Sequence, residues 1–144
     1  MKLHRNIKTL FFDLDHTLWD FDKNSSMAFK QIFKIYDFKF SYTEFLKFYK
    51  PINHFYWKAY SENKIGKDEL RVSRFQETFK KLKYNSTSKM IDEISNEYIK
   101  VLPTKTFLFD GVIELLNNIK SNYDLHIITN GFDDIQYKKI EYSG

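Results

Sequence analysis

Residues 7–22 read IKTLFFDLDHTLWDFD, and the order of apolar and acidic side chains in them decides the fold. Residues 7–14 form a short, nearly continuous apolar run that ends in acidic residues. Such a run is expected of a strand buried on both faces of a parallel sheet. A second run of the same character, LHIIT at residues 125–129, leads into Asn130-Gly131, which is a turn signal. Two strands of this kind, far apart in sequence, predict an α/β core.

The stretch between them is helical by its spacing. Phe29, Ile32, Phe33 and Tyr36 follow the i, i+3, i+4, i+7 pattern, as do Phe45, Phe48, Tyr49 and Ile52. Ser41 and Glu44 stand at the positions of a capping box, and Pro51 is expected to kink or split the helix they begin. Val72, Phe75, Phe79 and Leu82 mark a third helix. Ile91, Ile94, Tyr98 and Val101 mark a fourth, which Pro103 stops. Asp110 is then placed to cap a helix carrying Val112, Leu115, Leu116 and Ile119 on one face, which returns to the second strand. The aromatic stripes of the insertion are read as its own core. Trp57 is read the same way, with stacking on a base as the weaker alternative.

Composition narrows the class. The chain has 144 residues, with 42% hydrophobic and 19% aromatic side chains, as a folded globular protein requires. With no cysteine, thiolate zinc sites, disulfides and cysteine nucleophiles are excluded. No apolar run reaches membrane-spanning length, and a cytoplasmic, soluble protein with no membrane partner is the expectation. The net charge of +4 is spread along helical segments without a basic run, so a solvated lysine-rich surface is favoured over a nucleic-acid partner.

The chemistry is concentrated in Asp13, Asp15 and Thr17. At the strand period of two, Asp13 and Asp15 would point the same way, although the chain must already be turning there, and two carboxylates facing one crevice need a cation or a shared proton. Mg²⁺, which prefers oxygen ligands, meets that need, so both are candidate metal ligands. The pair can divide its labour, one attacking phosphorus and the other moving protons. Thr129 and the amides of Asn130 and Gly131 are candidate phosphate donors, at the end of the second strand and before a helix beginning near Asp133. The alternative is a surface acidic turn with an ordinary N-cap threonine. His4, His54 and His126 show no metal-ligand spacing, and His126, in a strand read as buried, is expected to be a hydrogen-bonded core histidine.

FFDLDHTLWDFD resembles the first signature of the haloacid dehalogenase superfamily, and IITNG resembles its second. The resemblance implies a Rossmann-like parallel-sheet core at 1–22 and 104–144, interrupted by an α-helical cap at 23–103. It implies that Asp13 is the nucleophile and that Asp15 is the acid/base, lending its backbone carbonyl to Mg²⁺, with Thr129 the phosphate-binding hydroxyl. His16, Thr17 and Trp19 are carried over as substrate-proximal, His16 with a turn role as an equal alternative. The wording around Trp19 and Phe21, with DGVIELL and ITNGF, is similar to the pyrimidine nucleotidase branch, which implies a nucleotide or other small phosphate ester as substrate.

The family's third motif, a lysine, and its fourth, an acidic pair, belong to the segment following EYSG. Lys138 and Lys139 come too soon after the second strand to be that lysine. The core is therefore expected to be incomplete, with an open sheet edge through which the chain would self-associate. The competing readings are a truncated, inactive fragment or subunit of such an enzyme, and a sugar phosphatase or dehalogenase of the same superfamily. Asp15 argues against the dehalogenase.

Overall fold

The computed structural model describes residues 7–144, so His4 lies outside the described residues. The chain divides into two compact units, Met1–Met27 with Leu102–Gly144, and Ala28–Val101.

In the first unit, β1 (Thr9–Asp13) and β2 (Asp124–Ile128) pair in parallel, with Thr9 opposite Asp124 and Asp13 opposite Ile128. Both strands therefore end at the same edge. The sheet has two strands among the described residues. The expectation of burial on both faces fails here. Phe11 is 65% exposed and Ile128 60%, because two strands with few covering elements leave apolar faces open. His126 is likewise exposed and stacks on Phe11 at 5.2 Å, so it is not a core histidine.

After Asp13 the chain turns sharply. The backbone N–H groups of Leu18 and Trp19 both donate to the Leu14 carbonyl, and His16 takes a left-handed φ of 64°. Asp20 caps the next helix, α1 (Phe21–Ile35), by accepting from the Lys23 N–H at 3.0 Å. The fully buried Asn24 anchors the first turn. Its side chain donates to the Phe107 carbonyl at 2.8 Å and accepts from the Phe107 N–H at 3.0 Å.

In the second unit lie α2 (Tyr42–Ser61), α3 (Lys67–Lys81) and α4 (Ser88–Val101), with the rest of α1. The Ser41–Glu44 capping box forms in both directions, and α2 runs unbroken through Pro51. The aromatic stripes meet at Phe29, whose ring stacks on Tyr98 at 4.4 Å and meets Phe45 and Tyr49 edge-on. The buried face of α3 is Leu70, Arg74, Phe75, Thr78 and Phe79. Val72 and Leu82, named from spacing, only flank it. The difference arises because two polar residues are buried on this face with partners: the Thr78 hydroxyl donates to the Arg74 carbonyl at 2.6 Å, and one guanidinium nitrogen of Arg74 donates to Asn53 at 3.0 Å, while its buried Nε has no hydrogen-bond partner among the described residues.

The chain leaves this unit through a single 3₁₀ turn, Leu102–Thr104, which contains Pro103. The following helix, α5 (Val112–Ile119), is not capped by Asp110. Its N-cap is Gly111, at a φ of 81° that favours glycine, with no side-chain cap hydrogen bond. The last helix, α6 (Asp133–Ser143), starts where the sequence placed it. Among the described residues, no helix is long and apolar enough to cross a membrane.

Candidate active site

Asp13, the last residue of β1, lies opposite Ile128, the last of β2, across the roughly 5 Å between paired strands, and Thr129 follows directly after Ile128. Asp13 is exposed. One of its oxygens accepts from the Thr17 hydroxyl at 3.2 Å, and the other accepts no hydrogen bond among the described residues. Thr17 thus orients one carboxylate oxygen and leaves its neighbour available to a ligand.

Asp15 is held differently. Lys139 Nζ donates to both of its carboxylate oxygens, at 2.7 and 2.9 Å, and Gln136 Nε2 donates to one of them at 2.9 Å. Lys139 is only 2% exposed, and its ammonium lies over the ring of Trp19 at 4.4 Å and that of Phe21 at 5.3 Å. Burial pushes the lysine below its ordinary pKa, and the charge and hydrogen bonds of Asp15 pull the other way.

Gln136 also reaches Thr129, donating to its Oγ1 at 2.6 Å, and the Gly131 N–H donates to the same oxygen at 3.3 Å. The side chain of Gln136 passes so close to Gly131 that a Cβ there would stand 2.5 Å from its amide carbon and nitrogen. A side chain at 131 would therefore force the end of the Gln136 side chain to move. Asn130 is exposed in the turn between β2 and α6. Beside Thr129, Ile128, Asp133, Gln136, Tyr137 and Ile140 line a groove of about 430 Å³.

Of the three residues carried over as substrate-proximal, Thr17 stands on Asp13. His16 is exposed, with Nδ1 4.0 Å from Asp22 and its ring tilted against Phe21. Trp19 is fully buried beneath Lys139. Gln136 had no place in the sequence reading, and Lys139 entered it only to be set aside as the motif lysine. Their signal was spacing, since i and i+3 share one helix face. In α6 that face buries these two polar side chains with Ile135, while Tyr137 is 74% exposed.

Among the described residues no three His, Cys, Asp or Glu side chains gather as a metal cluster. Mg²⁺ commonly binds through one or two carboxylates, water and a substrate phosphate. The carboxylate of Asp13 fits that donor set. The carboxylate oxygens of Asp15 already face Lys139 and Gln136.

Comparison with known proteins gives a consistent picture. The sequence family described as haloacid dehalogenase-like hydrolase matches residues 7–144. YfnB of Bacillus subtilis, named as a hydrolase of that family, is 32% identical over 141 residues, covering 97% of this chain and 58% of YfnB. The pyrimidine 5'-nucleotidase PynA of Streptococcus pneumoniae is 32% identical, covering 95% of this chain and 56% of PynA. The crystal structure of YfnB bound to magnesium superposes with a TM-score of 0.83 at 30% identity, covering 96% of this chain and 59% of that one. A defluorinating L-2-haloacid dehalogenase shares the fold at a TM-score of 0.71 and 15% identity. The chain thus spans a little over half the length of the curated relatives it matches.

Proposed function

The chain belongs to the haloacid dehalogenase-like hydrolases, and on that premise we propose that it carries the nucleophile half of a Mg²⁺-dependent phosphate monoester hydrolase acting on a nucleoside monophosphate. In this reading residues 23–103 are the cap, and residues 1–22 and 104–144 belong to the core. The observation that carries the proposal is the pairing of a carboxylate with one free oxygen, Asp13, with a second carboxylate, Asp15, tied to Thr129 through Gln136.

The free oxygen of Asp13 attacks phosphorus as the P–O ester bond breaks, giving an aspartyl phosphate. Asp15 supplies the proton that the leaving alcohol takes up, then accepts one from the water that attacks phosphorus. That second step releases inorganic phosphate and regenerates Asp13. The Thr129 hydroxyl, with the Asn130 amide, donates to the phosphoryl oxygens as charge develops there, while the Gly131 N–H, carried over for the same task, donates to Thr129 Oγ1 instead. Mg²⁺, held at Asp13, would neutralise phosphoryl charge when bound. The nucleotide reading draws its support from PynA, a pyrimidine 5'-nucleotidase by name.

The test is phosphate release from uridine monophosphate and p-nitrophenyl phosphate in Mg²⁺, run on this chain and on its longest in-frame natural form. Asp13→Asn is expected to abolish turnover and Asp15→Asn nearly so, and EDTA to suppress it. Near-normal turnover by Asp13→Asn would overturn the covalent mechanism.

A further inference from the structure

Gln136 makes two hydrogen bonds from a single nitrogen, and the donor count at that nitrogen fixes the direction of every bond around it. A side-chain amide has two N–H hydrogens. One goes to the Asp15 carboxylate and the other to Thr129 Oγ1. The reverse orientation would set the amide oxygen against a carboxylate, so the nitrogen faces Asp15. Thr129 Oγ1 consequently accepts twice, from Gln136 and from the Gly131 N–H. A hydroxyl oxygen has two lone pairs and one hydrogen. With both lone pairs engaged, the Thr129 hydrogen is left to donate, and among the described residues no acceptor takes it.

We propose that Gln136 is a positioning residue: it turns the Thr129 hydroxyl into an obligate donor facing an anionic oxygen, and ties that donor to Asp15. The inference rests on the phosphohydrolase reading and deepens it, because it selects the ligand's chemistry at this point. A phosphoryl oxygen can accept from Thr129, whereas a cation or a ligand donor finds no lone pair free. Gly131 belongs to the same device, since a side chain there would displace Gln136. Lys139, fixed under Asp15 on the same face of α6, sets where the carboxylate end of the tie sits.

Two measurements on the full chain test the proposal. In the ¹⁵N NMR spectrum, both side-chain amide protons of Gln136 should be protected from exchange. Thr129→Val should release one of them, and Asp15→Ala the other. Exchange of both at the rate of a free amide in the parent chain would overturn the proposal. The second measurement is titration with inorganic phosphate. Gln136→Met, which removes the donor, should weaken binding by several fold. Gln136→Glu, which can accept from Thr129 and so draws its hydrogen inward, should weaken it by about tenfold or more, the size expected when a hydrogen bond to a charged group is lost. In a Thr129→Val background the same two substitutions should change little. Equal losses in both backgrounds would show that Gln136 does not act through Thr129, and would overturn the proposal. If no variant, nor the parent, bound phosphate while the amide signature was intact, the positioning role would stand and the phosphohydrolase reading would fail.

Discussion

Replacing Lys139 by methionine isolates the contribution of the buried cation. Methionine keeps an unbranched stem of similar length against Trp19 and Phe21, and removes the ammonium that donates to both Asp15 oxygens. Breaking a fully buried ion pair from one side costs about 3–5 kcal/mol, most of it the penalty of leaving a charge without its partner. Here the charge left behind is Asp15, whose side chain is 24% exposed and which keeps its Gln136 donor. Water can therefore repair part of the loss, and an effect of about 2 kcal/mol is expected. For a chain of this length that corresponds to a fall in Tm of about 4–8 °C. The assay is urea unfolding of Lys139→Met, Asp15→Asn and the double variant. Coupling should appear as a double variant clearly less destabilised than the sum of the singles. A Lys139→Met chain within about 0.5 kcal/mol of the parent, or singles that simply add, would refute the account, since the contact would then be no more than a surface ion pair in worth.

Two further outcomes follow from local geometry. Gly131→Ala should displace the end of the Gln136 side chain and so lose its protected amide signal, at a cost of about 1 kcal/mol from the hydrogen bonds given up; an unchanged spectrum would contradict this. Ser41→Ala, which removes the acceptor of the Glu44 N–H, should destabilise the chain by about 1 kcal/mol. Glu44 itself is held below its ordinary pKa, chiefly by the Ser41 backbone N–H and then by the hydroxyl. A lowered folded pKa means that this contribution is present above the unfolded value and is lost as pH falls through the folded one. The gap between parent and Ser41→Ala urea midpoints should therefore be wider at neutral pH than at pH 3.

The α/β class, the two strands, the helices between them and the capping box were legible in the sequence. Each depends on interactions within a few residues: the i, i+3, i+4 stripe at Phe29 and Phe45, the Ser41–Glu44 exchange, the apolar runs before Asp13 and Thr129. The two carboxylates and the turn after the second strand were legible as motifs, since motif order is a property of the chain alone; the strand period does not extend to Asp15, because β1 ends at Asp13.

What the tertiary structure decided was which polar groups face one another. Arg74 and Thr78 have the polarity of surface residues, yet they lie inside, where Asn53 takes one guanidinium N–H and a backbone carbonyl takes the Thr78 hydroxyl. His126 and Phe11 look like core residues, yet they are open because burial depends on neighbours that a strand does not contain. Lys139 shows the difference most sharply. Its distance along the chain from the second strand excluded it from the expected lysine position, and nothing local to α6 points to a carboxylate 124 residues away. Only the parallel pairing of β1 with β2, and the docking of α6 at their carboxyl ends, puts that ammonium on Asp15 and the Gln136 amide between Asp15 and Thr129. Hydrogen bonds act over about 3 Å of space whatever the separation in sequence, so residues brought together by the fold leave no periodic trace in the chain.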